Sequence, residues 1–164
     1  MSVYVAVCGP AEATARESEW AEEVGRRIAL AGAVLVCGGL GGVMDSAAAG
    51  CAAAGGTSVG VLPGDTRAGA SRHLTVAVAT GMGEARNALV ARASDALIAI
   101  AGEFGTLSEI ALALKMGKPV VGLGTWTLHR ERDGGDPIVR ASSAEEAVAS
   151  ALRALGTFRV PHEN

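Results

Sequence analysis

Short apolar runs rich in β-branched residues alternate with alanine-rich segments of helical length along nearly the whole chain. Val3 to Cys8, Val34 to Cys37 and Ser58 to Leu62 read as strands, with helical stretches over about Ala15 to Ala31 and Val43 to Ala54 between them. This βαβαβ order leaves few folds open, because strands joined through helices lie parallel and their crossovers are right-handed. After a polar loop (Gly64 to Arg72), Leu74 to Ala79 reads as a strand, Gly83 to Ala93 as a helix and Ala96 to Ala101 as a strand. The alternation resumes with helix Leu107 to Met116 and strand Pro119 to Leu123. A polar loop (Thr125 to Asp136), a short strand (Ile138 to Arg140) and helix Ala144 to Leu155 follow.

Nearly half of the 164 residues are hydrophobic while aromatics make up 3%, so the core is built from Ala, Val, Leu and Ile. That makeup suits a parallel sheet covered on both faces by helices. The expectation is α/β: a single Rossmann-like three-layer domain with a mostly parallel sheet over residues 1–156, and a loose C-terminal tail over 157–164. Alanine-rich helices such as Val43 to Ala54 and Leu107 to Met116 would also permit close approach between subunits. A net charge of −3 offers no basic patch, which argues against nucleic acid as a partner. Cys8, Cys37 and Cys51 are odd in number and widely spaced, as expected of buried thiols in a reducing compartment. No long apolar segment indicates a membrane and no leader-like start is visible, so a cytoplasmic protein is expected.

In a doubly wound sheet, ligands bind outside the carboxyl ends of the strands, where strand order reverses. Gly9, the cluster Gly38-Gly39-Leu40-Gly41-Gly42, Gly81 with Gly83, and Gly102 with Gly105 all fall on that edge. In the run Ala101-Gly102-Glu103-Phe104-Gly105-Thr106-Leu107-Ser108-Glu109 a strand ends in glycines where a helix begins. Such a corner aims free backbone N–H groups and the positive end of a helix dipole at one spot, which suits an anion. Neither a Gly-x-Gly-x-x-Gly fingerprint nor a Gly-Lys-Ser/Thr loop is present. Thr106 to Glu109 has a second reading as a helix capping box, the pattern also found at Thr14 to Glu17 and Ser143 to Glu146. Arg86 lies near a predicted helix start, where it opposes the dipole, so either an anionic ligand offsets it or it is a solvated surface side chain. His73, His129 and His162 have no partners at metal spacing, so no metal is expected. Ser46, Ser94 and Ser108 lack a nucleophile elbow.

The motifs Gly38-Gly39-x-x-Gly42-x-Met44, Gly83-Glu84-Ala85-Arg86-Asn87 and Gly105-Thr106-x-x-Glu109, followed by Ala111 to Leu114 and Lys115-x-Gly117-Lys118-Pro119-Val120, resemble the LOG-like (LONELY GUY) superfamily. Within it the chain is most similar to small bacterial proteins related to molybdenum-cofactor carrier proteins. The resemblance runs from Val3 to about Leu155. It implies a homo-oligomer, dimer or tetramer, and a small nucleotide-like ligand with no required cofactor: a bound nucleotide or the molybdenum cofactor. The ligand-binding positions it implies, with those on the glycine edge, are Gly9, Gly38, Gly39, Gly42, Met44, Gly81, Arg86, Asn87, Gly102, Gly105, Thr106 and Glu109. The LOG enzymes hydrolyse the N-glycosidic bond of a modified adenosine 5′-monophosphate. Carried over by position, Arg86 and Glu109 would be catalytic, and Gly105 and Thr106 would hold the 5′-phosphate. A label of lysine decarboxylase, often attached to such sequences, is not adopted, because nothing here marks a pyridoxal-phosphate lysine. Ala101 and Glu103 stand where the enzymes have Pro and a second Gly, and Asn87 where they usually have Lys. The resemblance therefore leaves two readings: a nucleotide-type ligand-binding carrier or sensor, and a phosphoribohydrolase.

Overall fold

The chain folds around one seven-stranded sheet in which every pairing is parallel, here described from a computed structural model covering residues 1–132 and 134–156. The strands are β1 (Tyr4–Cys8), β2 (Val34–Cys37), β3 (Ser58–Leu62), β4 (Val76–Ala79), β5 (Ala96–Ile100), β6 (Val120–Leu123) and β7 (Val139–Arg140), in the order β4-β3-β2-β1-β5-β6-β7. The expected mostly parallel sheet is thus parallel throughout the described residues, and the tail over 157–164 lies outside them. The chain winds outward from β1 to β4, then returns to β5 on the other side of β1. The reversal of strand order therefore falls between β1 and β5, where the fold leaves a crevice.

Helices α1 (Ala15–Leu30), α2 (Val43–Ala53) and α5 (Ala144–Ala154) cover one face, packing on Val5, Val7, Leu35, Ala96, Ile98 and Ile100. Helices α3 (Asn87–Ala93) and α4 (Phe104–Lys115) cover the other, against Ala6, Cys8, Val36, Leu97 and Ala99. Alternation along each strand thus feeds two separate cores, the three-layer plan expected for near-continuous apolar strands. Among the described residues no helix is long and apolar enough to cross a membrane.

Small residues set the helix spacing. A methyl group added at Gly25 of α1 would come within 1.9 Å of the Ala47 carbonyl, and one at Gly50 of α2 within 1.9 Å of the Glu22 carbonyl. The two helices cross in backbone contact, so Ala47 and Gly50 of α2 serve the packing on α1 within the chain. Lys118 extends its ammonium to the Ala91, Arg92 and Ser94 carbonyls, tying off the C-terminus of α3.

Several element boundaries differ from the sequence-based expectation. The strand expected from Leu74 begins at Val76, while the Leu74 side chain packs over Gly60. The last strand is reduced to Val139 and Arg140. The helix expected from Gly83 opens as a 3₁₀ turn, Gly83–Arg86, before α3. Helix α4 starts at Phe104, one turn earlier than Leu107, because Glu103 takes the extended N-cap conformation. Thr106 consequently lies in the first turn of the helix instead of at its N-cap, Glu109 lies in the next turn, and the capping-box reading of this segment does not hold. The device is complete at α1, where Thr14 and Glu17 bond each other's backbone. At α5 it is half formed: Ser143 caps Glu146, whose carboxylate turns to Ser142 instead.

Candidate functional site

At the reversal point, the carboxyl ends of β1 and β5 open into a cleft of about 420 Å³. Gly9, Pro10 and Ala11 after β1 and Leu40 and Met44 around the start of α2 form one wall. The other is made by Glu84, Arg86 and Asn87 with Glu103, Gly105, Thr106 and Glu109 of the β5–α4 corner. A volume of this size falls in the range of small-molecule sites.

Arg86, at the junction of the 3₁₀ turn and α3, is 8% exposed and not the solvated side chain that was its alternative reading. Its Nη1 lies 3.9 Å from Oε1 of Glu109, beyond hydrogen-bond range. Nε and Nη1 are buried without a hydrogen-bond partner. A guanidinium is held this way only where other groups force it. The force is partly steric: a methyl group on Gly38 would come within 2.1 Å of Nη1 and 2.7 Å of the Met44 sulfur, so the bare Gly38 backbone is the floor on which the guanidinium lies.

Glu109 is 7% exposed, and burial pushes its carboxyl up to about 7. The Cys8 thiol, which hydrogen-bonds to it, and the charge of Arg86 pull in the opposite direction. Cys8 itself, buried at the end of β1 and facing that carboxylate, is pushed well above the ordinary thiol range. Burial raises Cys37 to about 12. Both cysteines are protonated at neutral pH, and among the described residues no three His, Cys, Asp or Glu side chains gather in a way that would hold a metal ion.

The β5–α4 corner is held in an unusual conformation. Ala101 has φ +47° and Gly102 φ 122°; the Ala101 N–H donates to the Leu123 carbonyl at 3.0 Å, and its own carbonyl accepts from Thr125 Oγ1. Proline, locked near −65°, has no access to the Ala101 conformation. Gly102 is required twice, by its φ and by the Thr106 side chain, 2.5 Å from where a Cβ would stand. The first turn of α4 leaves the N–H groups of Phe104, Gly105 and Thr106 without acceptors in the helix, and Gly105 and Thr106 border the cleft. Asn87 donates to Ser108 Oγ at 2.9 Å, and Ser108 donates to the Gly105 carbonyl at 2.7 Å, pinning α3 to α4 at the rim.

The model of the SLOG cluster4 family matches residues 2–149. The chain belongs to that family. An uncharacterized protein of Archaeoglobus fulgidus is 43% identical over 121 residues, 74% of this chain and 80% of that one. The molybdenum cofactor binding protein of the phototrophic bacterium Rippkaea orientalis superposes with a TM-score of 0.85 at 34% identity, over 96% of this chain and 99% of the other. The molybdenum cofactor carrier protein of Chlamydomonas reinhardtii superposes with a TM-score of 0.83 at 35% identity, over 95% and 99%. The resemblance read from the three motifs therefore holds for fold and superfamily.

In this SLOG cluster4 chain the motif residues divide into two groups. Gly9, Met44, Arg86, Asn87, Gly105, Thr106 and Glu109 line the cleft. Gly38, Gly39, Gly42, Gly81 and Gly102 do not: Gly38 lies beneath Arg86, Gly39 against Gly60, Gly42 against the Pro10 and Ala11 backbone and Gly102 beneath Thr106, while Gly81 lies apart, near Asp65. Gly102 also borders a second hollow of about 350 Å³, with Thr14, Glu17, Glu103, Thr125 and Trp126. Trp126 packs its ring 5.5 Å from that of Phe104. Sequence reasoning did not single out Cys8 as a site residue. Its signal was its place, the last residue of β1 immediately before Gly9.

Proposed function

We propose that the protein is a carrier or sensor that binds a nucleotide-type or pterin-type small molecule at the crevice between β1 and β5, without turnover. The observation that carries this reading is Arg86, a buried guanidinium whose Nε and Nη1 lack protein acceptors beside the N-terminus of α4. An anionic ligand, its phosphate at the glycine corner formed by Gly105 and Thr106, supplies the acceptors that the chain withholds.

The molybdenum cofactor is the candidate ligand. Two proteins 34% and 35% identical over nearly their whole lengths are named for binding or carrying it. The donor set agrees with such a cargo held through its organic and phosphate portions, because the thiols of Cys8 and Cys37 are buried and protonated and Arg86 is the cation in the cleft. The reading requires no resident cofactor. It also includes a homo-oligomer, dimer or tetramer, for which the exposed Leu89 of α3 and Phe104 of α4 are candidate contacts, testable by sedimentation.

The experiment is a melting-temperature titration with molybdenum cofactor, pterins and nucleotides, because a ligand that binds only the native state raises the transition in a saturable way. Saturable stabilisation that Arg86→Met removes supports the reading. Stabilisation by none of these compounds refutes it.

Glu109 favours a second reading, phosphoribohydrolase. A buried carboxyl held near 7 beside an arginine suits proton transfer to water or a leaving base, and its ionised form suits a ribosyl cation. Incubation with AMP and N6-modified AMPs would release base and ribose 5-phosphate from the wild type and not from Glu109→Gln.

A further inference from the structure

Among the described residues, the cleft is lined by three carboxylates, Glu84, Glu103 and Glu109, and by a single cationic side chain, Arg86. Glu109 faces that cation, and Glu84 lies exposed on the 3₁₀ turn at the rim. Glu103 is placed differently. It is the N-cap of α4, with φ −94° and ψ −169°, and its side chain makes no capping bond to the first turn. The acid therefore leaves the N–H groups of Phe104, Gly105 and Thr106 free for a ligand while setting a negative charge beside them.

The backbone that carries this charge is held in place at the corner. The two residues before Glu103 are fixed at φ +47° and +122°, with Ala101 bonded through both its N–H and its carbonyl to the β6 end and Thr125. Glu103 borders both the main cleft and the hollow under Trp126, so this exposed acid adds negative charge to either one.

We propose that Glu103 is a specificity-determining residue: it weakens binding of the doubly charged form of a phosphate at the α4 N-terminus and favours ligands that present a singly charged phosphate, whether a protonated monoester or a diester, or a neutral acceptor there. The proposal rests on the ligand-binding reading of the same cleft and gives it a substrate class. Helix dipole and Arg86 attract any acceptor to this corner, whereas Glu103 repels in proportion to the ligand's charge. Coulomb repulsion by an exposed carboxylate a few ångströms away, screened by water and salt, is enough to change affinity about tenfold per added charge.

The test is calorimetric titration of wild type and Glu103→Gln with inorganic phosphate, AMP, 3′,5′-cyclic AMP and adenosine, at pH 8, where the monoester is a dianion. The substitution removes charge and retains shape, and the lost side chain makes no hydrogen bond to the helix, so the melting temperature should stay close to that of the wild type. The expected result is that Glu103→Gln tightens AMP and inorganic phosphate about tenfold relative to adenosine, with a smaller gain for the cyclic diester. Equal changes for all four probes, or no gain for inorganic phosphate and AMP, would overturn the role of Glu103. Arg86→Met in the same titrations separates the two ideas: binding that does not depend on Arg86 counts against the cleft as the ligand site, whatever Glu103 does.

Discussion

Arg86 and Glu109 face each other at 3.9 Å with side chains 10% and 9% exposed, a buried pair of opposite formal charge that is not hydrogen-bonded. Such a pair pays for desolvation without recovering the full attraction. The arrangement is costly as it stands and becomes favourable when an acceptor enters the cleft and takes up Nε and Nη1.

Replacing Arg86 by Met is accordingly expected to separate binding from stability. Removing a charge-assisted contact should weaken ligand binding by about 2 kcal/mol, roughly thirtyfold. The ligand-free protein should melt close to the wild type at pH 5, where Glu109 is protonated and needs no counter-charge. Titration and thermal denaturation of the same preparation check both halves; a large fall in melting temperature would mean that Arg86 holds the fold.

Glu109 sets a pH dependence of stability with a definite sign. Its folded value, about 7, is raised above the ordinary 4.5, so the native state holds a proton that the unfolded chain has released. Stability is therefore lost as pH rises from about 4.5 through about 7 and stays low above it, by about 3 kcal/mol for a shift of this size. Glu109→Gln, which mimics the protonated form, should be more stable than the wild type at pH 8 and should converge with it near pH 4.5. Denaturant midpoints across that range give the answer, and parallel curves for the two proteins would rule out the shift.

Two glycine-to-alanine substitutions should behave oppositely. At Gly38 the added methyl meets the end of the flexible Arg86 side chain, so the fold should lose only about 1 kcal/mol while ligand binding falls with the displaced guanidinium. At Gly25 it meets the Ala47 carbonyl at 1.9 Å, which forces α1 and α2 apart and should cost about 3 kcal/mol. Denaturation with a binding assay distinguishes them; loss of fold at Gly38 would contradict its role as a floor for Arg86.

Lys118→Met should lower stability by about 2 kcal/mol, since three carbonyls at the end of α3 lose one charged donor. Hydrogen exchange should show the loosening concentrated in α3, the helix that follows Arg86. Uniform loosening would argue for a global role instead.

Much of this molecule was legible before folding. Strand runs such as Val3 to Cys8 and Ala96 to Ala101 carried their own signal, because a strand buried on both faces is continuously apolar. The motif residues Arg86, Asn87, Gly105, Thr106 and Glu109 proved to share one cleft, because a parallel doubly wound sheet brings every strand's carboxyl end to the same edge. The start of α4 was not legible. Thr106-Leu107-Ser108-Glu109 fits a capping box as well as a helix interior, and only the Ala101 and Gly102 conformations, fixed by β6 and Thr125, move the N-cap back to Glu103.

The sequence by itself determined the alternation of strand and helix, the sheet edge on which the glycine corners gather and the residue types found there, since periodicity and glycine placement are local properties. The tertiary structure alone decided that Gly38 lies beneath the Arg86 guanidinium, that Cys8 lies under Glu109, and that Arg86 is buried with Nε and Nη1 lacking a hydrogen-bond partner. Those relations join β1, β2, the turn before α3, and α4, and the energies involved, desolvation and steric exclusion, exist only once distant segments have removed water from one another.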